Sequence, residues 1–462
     1  MATEPRALVT DPAVCEAYAA DVSGLRQPPA RLARPAETRE TLEVLRQAAV
    51  EGWTVTAAGA QTSTTGASVA DEGGTLLSTA RLDRIIDIDT GALRARVEPG
   101  VIIGDLNRAL APEGLFFPPD PTSENEATVG GAVACNASGA RTLRYGPTRH
   151  YVRGLRVALA DGSVVDLVRP ALEKNTVGYL PAQDPVDWFV GSEGTLGVIL
   201  EVDLDLRRLP ESVVGLGIPF PDEVAALEFI VAARHSERLA ARCLEYFDAT
   251  AFGFACDARG GGKWGEAGDT MVYLEEAGAE EPDFEGWLEL AADHRAREDD
   301  IAVFDGEAAL RDARRLRHAC PAAMHEATGP YLQSGGRRIS TDWAVPFPDA
   351  PAALAEARAA ARASGLESPV VYGHLGNGHP HLNWVARNPA EVAQIEDCVE
   401  AILRRSVLPR SGTVAAEHGV GKIKARWLPL QMSPLQIRFM RALKKELDPA
   451  GRLAPGNVLS SL

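Results

Sequence analysis

Residues 116–146 read FFPPDPTSENEATVGGAVACNASGARTLRYG, and the fold prediction starts from this stretch. Its Pro-Pro-Asp-Pro run fixes φ at several residues and cannot continue a helix. From Ala127 to Ala140 nearly every side chain is small, which lets backbone amides approach a bulky planar ligand or its phosphates. A tight buried turn between core strands would need the same small residues, so this stretch alone leaves both interpretations open.

Two further Gly/Thr/Ser stretches, one on each side of the first, favour the ligand. Residues 57–66 read AAGAQTSTTG and residues 190–199 read VGSEGTLGVI. Each follows an apolar run, and three such stretches in one half of the chain predict the binding site of one large cofactor. A Rossmann site is not predicted, because GxGxxG is absent from the first stretch and no helix clearly opens from it.

Length and charge narrow the class of protein. A chain of 462 residues is too long for one core, which predicts two or three domains. The net charge of −17 argues against nucleic acid or an anionic membrane as a partner. No apolar run approaches the ~18 residues of a membrane span. The first residues carry no apolar targeting segment, so we expect a cytoplasmic protein.

The six cysteines lie far apart in the sequence with no CxxC. This spacing excludes the usual zinc and iron–sulfur motifs and fits reduced thiols.

Hydrophobic periodicity predicts an α+β protein with a boundary near residue 209. Residues 1–30 form an irregular N-terminal segment, and residues 31–208 form a domain of two small α+β subdomains with a hairpin over 152–168. From 209 to 462, helices alternate with strands, which suits a sheet covered by helices on one side. A helix is predicted over 433–447, and its stripe of Leu435, Phe439 and Leu443 is expected to pack in the core.

Histidines cluster near the C-terminus. Three of the nine lie in residues 372–383, YGHLGNGHPHLN, and another lies in residues 411–421, SGTVAAEHGVG. His381 and Asn383 are two apart on a predicted strand and therefore point to the same face. Imidazole and carboxylate together suit Zn²⁺ or Mn²⁺, and three protein ligands with an open position suit catalysis. A single histidine would more often be a hydrogen-bonded core residue, but clustering argues against that reading.

The three small-residue stretches, in this order, resemble the PCMH-type FAD-binding domain of the vanillyl-alcohol oxidase or FAD-linked oxidase family. The resemblance implies that the first stretch holds the pyrophosphate, the second runs along the flavin and the third closes the adenine and ribose side. It also implies a ferredoxin-like α+β cap domain after the FAD-binding domain, with the last ~50 residues returning to the flavin, as in the family's terminal segment. The implied cofactor contacts are Ala58, Gly59, Ala60, Gln61, Thr62, Ser63, Pro119, Asp120, Thr128, Gly130, Gly131, Ala134, Ser138, Gly139, Arg144, Tyr145, Gly146, Glu193, Gly197, Ile199 and Asn457.

The histidine segments resemble the C-terminal domain of metal-dependent D-2-hydroxyacid dehydrogenases, such as those of D-lactate and D-2-hydroxyglutarate, whose pattern is HxGDGNxHxN followed by EHGxG. The resemblance implies His374, His381 and Glu417 as metal ligands, Asn383 as a substrate contact and His418 as the general base. Arg317 occupies the place of the family's carboxylate-binding arginine, and Arg338 stands where the family usually has a lysine. Either arginine could instead be a surface charge.

Three departures from the family pattern stand out. Asn377 replaces an aspartate, His379 with Pro380 replaces Asn-x, and Arg338 replaces a lysine. His379 is either an extra metal ligand or a solvent-facing turn residue.

The expected activity is oxidation of a D-2-hydroxy acid (lactate, glycolate or 2-hydroxyglutarate type) to the 2-oxo acid, with hydride passing to FAD. The electrons would go on to a quinone, a cytochrome or an electron-transfer flavoprotein, with oxygen left open, and a homodimer is possible. FAD is expected to be non-covalent, since the stretch 60–63 offers no nucleophile. Two alternatives stay open: a metal-free FAD oxidase or dehydrogenase of an alcohol or sugar, and a non-catalytic FAD-binding subunit of a larger complex.

Overall fold

The computed structural model describes residues 7–260, 264–278 and 282–459, and the chain divides into two compact units. The terminal unit consists of Met1–Gly139, Gly146–Leu209 and Glu417–Leu462, and the central unit of Ala140–Tyr145 and Pro210–Ala416. The predicted domain limits at 31, 208 and 209 stay a prediction.

The strands of the described residues are mostly short, as expected where glycine and proline interrupt them. In chain order they are β1 (Leu8–Val9), β2 (Arg31–Ala33), β3 (Val55–Ala58), β4 (Thr75–Ser78), β5 (Ile85–Asp89), β6 (Arg94–Val97), β7 (Leu115–Phe116), β8 (Val152–Ala158), β9 (Val164–Val168), β10 (Val198–Asp205), β11 (Arg207–Arg208), β12 (Ser212–Phe220), β13 (Ala241–Phe247), β14 (Thr270–Gly278), β15 (Ala302–Asp305), β16 (Arg337–Ser340), β17 (Val370–His374) and β18 (His379–Ala386).

Several α-helices begin after a residue whose side chain accepts a hydrogen bond from one of the first free amides, such as Asp11, Asp222 and Ser433, and the helix Thr38–Glu51 ends at left-handed Gly52. In chain order they are α1 (Pro12–Glu16), α2 (Thr38–Glu51), α3 (Ile103–Leu110), α4 (Val129–Cys135), α5 (Thr142–Tyr145), α6 (Leu180–Gln183), α7 (Val186–Phe189), α8 (Glu223–His235), α9 (Ala249–Ala258), α10 (Phe284–Asp293), α11 (Gly306–Thr328), α12 (Ala350–Ala363), α13 (Pro389–Ile402), α14 (Leu428–Gln431) and α15 (Pro434–Leu447).

The described part of the terminal unit contains three sheets. One has the order β1-β2-β4-β3, with β4 parallel to both β2 and β3. A second is antiparallel, in the order β5-β6-β10-β8-β9, and β7 pairs with β11. The predicted hairpin over 152–168 is confirmed as β8 and β9, and Gly162 in its turn has φ 77°.

The core of the terminal unit includes a residue from the far end of the chain. Val44 and Leu45 of α2 pack with Leu77 of β4, Leu200 of β10 and Leu453. Leu453 also forms a parallel bridge with Val55 of β3. The C-terminal segment is therefore part of this unit's core.

The central unit is one seven-stranded antiparallel sheet in the order β15-β12-β14-β13-β17-β18-β16. Helices α9 and α11 pack on one face, where Cys243, Phe247 and Tyr372 lie in their core. On the opposite face the hydroxyl of Tyr246 donates to Glu223 of α8 at 2.8 Å. The expectation of helices on one side only is wrong, because successive residues of β13 are buried on both faces.

The expected core stripe of α15 is also wrong. Leu435 is 49% exposed and Phe439 is 66% exposed. The helix is held instead by buried Lys444, whose ammonium donates to Asp448 at 2.5 Å and to the carbonyls of Thr195 and Leu453 at 2.7 and 2.8 Å. A buried charge with three acceptors replaces the apolar contact that helical spacing predicted.

Candidate active site

The three small-residue stretches meet within the terminal unit. The amides of Gly191 and Glu193, in the third stretch, donate to the carbonyls of Val133 and Ala134 in α4 at 3.0 and 2.8 Å. A Cβ added to Gly59 in the first stretch would collide with the side chain of Thr128, the N-cap of α4. Residues far apart in sequence thus form one group of loops.

Close packing between backbone segments explains two of the glycines in these stretches. A Cβ at Gly130 would collide with Pro99, and a Cβ at Gly139 would collide with the carbonyl of Asp120. At these positions the absent side chain makes room for backbone rather than for a ligand. The tight-turn interpretation therefore accounts for these two glycines. Support for a bound cofactor comes instead from hydrogen-bond donors in the loops.

Those donors lie in the first stretch. Within the described residues, the backbone amides of Ala60, Gln61 and Thr62 donate to no protein acceptor. Gln61 has φ 55°, and its side-chain nitrogen donates to the carbonyls of Tyr18 and Ala20 at 3.2 and 3.1 Å, which holds the loop from behind. Successive amides with one left-handed residue form a concave anion site, so this donor set fits a pyrophosphate.

Glu193 fastens the segment EHGVG to the third stretch. Its carboxylate accepts the amides of Val420 and Gly421 at 2.5 and 2.7 Å. Burial raises the pKa of Glu193 to about 7, although the two amides and Lys424 act in the opposite direction. This buried carboxyl therefore sets the conformation of the loop that follows Glu417 and His418.

Asn457 connects the same loops. Its amide nitrogen donates to the carbonyls of Ala67 and Glu193 at 2.7 and 3.1 Å, and its oxygen accepts from Lys422 at 2.7 Å. The side chain thus joins the third stretch to Ala67, the residue that follows the first stretch.

Most of the other predicted cofactor residues lie in the terminal unit with the three stretches, but Arg144 and Tyr145 lie in the central unit. Arg144 and Tyr145 lie on α5, and Arg144 donates to the carbonyl of Ala277 in β14. In the terminal unit, Ala58 ends β3, Ser63 follows the amide loop, Pro119 and Asp120 are buried after β7, Gly131 and Ala134 lie in α4, Ser138 follows α4, Gly146 packs on His150, Gly197 packs on Val157, and Ile199 lies in β10.

In the central unit, strand register collects the polar residues on one face of the sheet. Tyr372 pairs with His381, His374 with His379, and Ser340 with Asn383. Directly opposed residues on antiparallel strands point to the same face. His374, His379 and His381 are each buried, and their ring centroids lie 4.5–5.6 Å apart.

Two of these imidazoles are held in the tautomer that a metal ligand needs. Nδ1 of His374 lies 2.7 Å from a carboxylate oxygen of Glu245, and Nδ1 of His381 lies 3.0 Å from the carbonyl of Thr341. A carbonyl oxygen, like an ionised carboxylate, can only accept, so Nδ1 carries the proton and Nε2 of the neutral ring carries the lone pair. The donor set fits a divalent metal.

Arg317 lies behind His374. Its guanidinium is 3.4 Å from Glu245, the carboxylate that also holds His374, and all three side chains are nearly buried. Neighbouring Glu275 accepts from Arg242 at 2.6 Å and lies 3.8 Å from Arg141. Burial would raise the pKa of Glu275, but Arg242, Arg141 and Arg317 outweigh it and lower the pKa to about 2.

Arg338 is placed differently. It donates to Asn383 at 2.7 and 3.1 Å and to the hydroxyl of Tyr372 at 2.7 Å, and both acceptors are neutral. Burial raises the pKa of Tyr372, so this hydroxyl stays protonated. No carboxylate of the described residues forms an ion pair with Arg338. The half-buried guanidinium is therefore suited to bind an anion.

Glu417 and His418 lie in the terminal unit, as the first two residues past the boundary at Ala416. Nε2 of His418 is 3.2 Å from Oε1 of Glu417, and the carbonyl of His418 accepts from Thr65 at 3.4 Å. On the other side of the boundary, the amide of Ala416 donates to the carbonyl of Asp342 at 2.8 Å.

The sequence interpretation missed Glu245, Asp342 and Tyr372. Each lies on a strand or at its end, close to a predicted site residue. Strand alternation could have identified Tyr372, because it is two residues before His374 and shares its face. The partners Glu245 and Asp342 come from distant strands, and strand order was not predicted.

Comparison with known proteins matches both halves of the chain. Residues 29–168 match a family model described as an FAD binding domain, and residues 209–458 match the C-terminal domain of FAD linked oxidases. The chain is 30% identical to a D-2-hydroxyglutarate dehydrogenase of Xanthomonas citri pv. viticola, over 98% of this chain and 94% of the relative. It is 30% identical to a D-lactate dehydrogenase of Anaerostipes hadrus, over 94% and 90%.

A solved structure of p-cresol methylhydroxylase with substrate bound superposes with a TM-score of 0.72 at 15% identity, covering 98% of this chain and 93% of that one. This likeness concerns the fold alone, and it confirms the predicted α+β, PCMH-type architecture. In the described part of the chain, no helix combines the length and the apolar character that a membrane crossing requires.

Proposed function

This chain belongs to the FAD-linked oxidases, and on that premise we propose that it oxidises a D-2-hydroxy acid to the 2-oxo acid. The observation that carries the proposal is Arg338, a cation without a carboxylate partner among the described residues, on the sheet face that holds His374, His381 and Asn383. A 2-hydroxy acid offers a carboxylate for the arginine and a hydroxyl for a metal. The relatives named D-2-hydroxyglutarate and D-lactate dehydrogenase support the same class.

We assign the residue roles from these contacts and from the family resemblance. Arg338 binds the substrate carboxylate, and Asn383, which Arg338 contacts, orients it. His374, His381 and Glu417 hold a divalent ion, Zn²⁺ or Mn²⁺, and Glu245 with Arg317 positions His374. His418 accepts the hydroxyl proton. The bound flavin and metal supply the hydride acceptor and the Lewis acid that makes this proton easier to remove.

The terminal unit would hold FAD through the amides of residues 60–62 and the other stretch residues named above, with 31–208 as the FAD-binding domain and 209–462 as the C-terminal domain. That the unit also includes Glu417–Leu462 supports a return of the chain end to the cofactor. FAD is proposed to be non-covalent. Burial raises the pKa of Cys135, so the thiol of the second stretch stays protonated and unreactive. Flavin that stays on acid-precipitated protein would contradict this.

The electron acceptor is proposed to be a quinone, a cytochrome or an electron-transfer flavoprotein. A cytoplasmic location and a homodimer complete the proposal, and mass measurement in solution tests the dimer.

An anaerobic titration tests the function. The purified holoenzyme is mixed with D- and L-2-hydroxy acids, with and without a chelator, and flavin absorbance is followed. Bleaching by D-acids that the chelator abolishes supports substrate class, stereochemistry and metal together. Bleaching by alcohols or sugars that survives chelation would replace this function with a metal-free oxidase. A flavin that none of these compounds bleaches would indicate a non-catalytic subunit.

A further inference from the structure

His379 is a residue whose role the family pattern leaves open, since that pattern has asparagine there. The residue is only 5% exposed, so it is not a solvent-facing turn residue. It lies directly across from His374 and two residues before His381, so all three rings share one face of the sheet. A buried imidazole beside two others needs a partner for each ring nitrogen or a metal.

The contact between His379 and Asp342 is unusual for an ion pair. Nε2 of His379 lies 3.2 Å from Oδ1 of Asp342, yet within the described residues it forms no hydrogen bond, because the geometry is not aligned. The unsatisfied Nε2 of buried His379 is accounted for if it and the Asp342 carboxylate both point at one ion. Ligand atoms on one Zn²⁺, with bonds of about 2.0–2.1 Å and angles of roughly 90–110°, lie about 2.9–3.4 Å apart.

His381 completes the arrangement. A nitrogen of His381 and an oxygen of Asp342 lie within 4.8 Å of each other. The ring centroids of His379 and His381 are 4.5 Å apart. With a metal–nitrogen bond of about 2.0–2.1 Å, two imidazoles at right angles on one ion have centroids about 4.5 Å apart. Both spacings are thus those of neighbouring ligands.

We propose that His379 and Asp342 are metal ligands beside His381, and that they add one imidazole and one carboxylate. This inference extends the ligands assigned under the proposed function and rests on that metal. Each added imidazole favours Zn²⁺ or Co²⁺, while carboxylate and water suit Mg²⁺ and Mn²⁺. The histidine in place of asparagine therefore makes the site more selective for imidazole-preferring metals than the pattern it departs from.

The test measures metal binding without substrate. Full-length, FAD-loaded protein is stripped of metal and titrated with Zn²⁺ against a chromophoric chelator, and the bound Zn²⁺ is examined by X-ray absorption. His379→Asn and Asp342→Asn should each weaken Zn²⁺ binding more than about 100-fold, beyond the 10–100-fold effect of a residue that only orients a ligand. His379→Asn should also lose one imidazole from the coordination shell. The control, His325→Asn, changes an exposed histidine of α11 and should leave both unchanged.

A second variant covers the case in which His379→Asn does not fold. His379→Cys keeps a ligand at the position and should give a thiolate–metal absorption band with Cd²⁺. Unchanged Zn²⁺ affinity and imidazole count in His379→Asn, or no such band in His379→Cys, would overturn the inference. Because no substrate is used, protein that binds Zn²⁺ through His379 but is bleached by no 2-hydroxy acid would overturn the proposed function alone.

Discussion

The two units differ in the kind of group that they offer to a ligand. The terminal unit presents backbone: amides of residues 60–62, with glycines that leave room where loops cross. The central unit presents side chains, placed on one face by the register of β16, β18 and β17. A backbone site is damaged by added volume, whereas a side-chain site is damaged by a lost functional group. Substitutions in the two units should therefore fail in different measurements.

The largest effect is expected in the central unit. His381→Ala should lower turnover about 10³-fold or more, because several kcal/mol of Lewis-acid stabilisation depend on the metal that we propose it binds. The flavin spectrum and FAD content should not change, since the amides of residues 60–62, the proposed pyrophosphate donors, lie in the terminal unit. Stopped-flow flavin reduction and metal analysis measure both. A variant that keeps more than a tenth of the turnover, or that loses FAD, would break the comparison.

The two arginines of the central unit should differ from each other. Arg338→Gln should lower kcat/KM about 30- to 1000-fold, roughly 2–4 kcal/mol, because a substrate carboxylate loses its cation. Arg317→Gln should instead weaken metal binding about 10-fold, since it acts through Glu245 on His374. Steady-state kinetics and Zn²⁺ titration of both variants separate the roles. Equal effects on substrate affinity would show that Arg317 also binds substrate.

The buried carboxyl of the terminal unit should make stability depend on pH. The pKa of Glu193 is about 7 in the folded protein against 4.5 for the free group, so the folded state binds more protons between these values. The free energy of unfolding should therefore fall as pH rises from about 4.5 to 7, by up to about 3 kcal/mol. Urea unfolding of the wild type and Glu193→Gln across this range isolates the effect. Parallel curves for the two proteins would contradict it.

The smallest effect is expected from added volume. Gly130→Ala places a methyl group against Pro99, with the Cα and the carbonyl oxygen 2.9 Å away, and overpacking costs about 1–3 kcal/mol. Thermal unfolding should show this loss, together with lower FAD content. Gly253→Ala in α9, where no atom lies within 4 Å, is the matched control and should be neutral or slightly stabilising. Equal melting temperatures for the two variants would remove the packing explanation.

The sequence was most informative where residues of one site stand close together in it. His381 and Asn383 are two residues apart in the sequence, so alternation along one strand was enough to place them on one face. The three small-residue stretches identified the FAD-binding fold because the family motifs occur in the same order. The hairpin at Asp161-Gly162 needed only local turn preference.

Local reasoning failed where a distant partner decides the outcome. Helical spacing suggested that Leu435 and Phe439 are core residues, but Lys444 docks α15 through Thr195 and Leu453. Glu245 reaches His374 only because β13 is a neighbour of β17 in the sheet. Composition could not reveal strand order, and the role of His379 needed the position of Asp342.

The return of the chain end to the terminal unit has a consequence for synthesis. The amide of Val55 bonds to the carbonyl of Arg452, and Ala454 bonds back to Val55. At a synthesis rate of about 5–20 residues per second, roughly 20–80 s pass between the synthesis of β3 and that of these partners. Residues 210–416 leave the ribosome earlier and, apart from the short segment 140–145, already carry their own sheet. The unit that begins first is thus completed last, and a nascent chain stalled before residue 450 would expose the unpaired edge of β3 to chaperones or proteases.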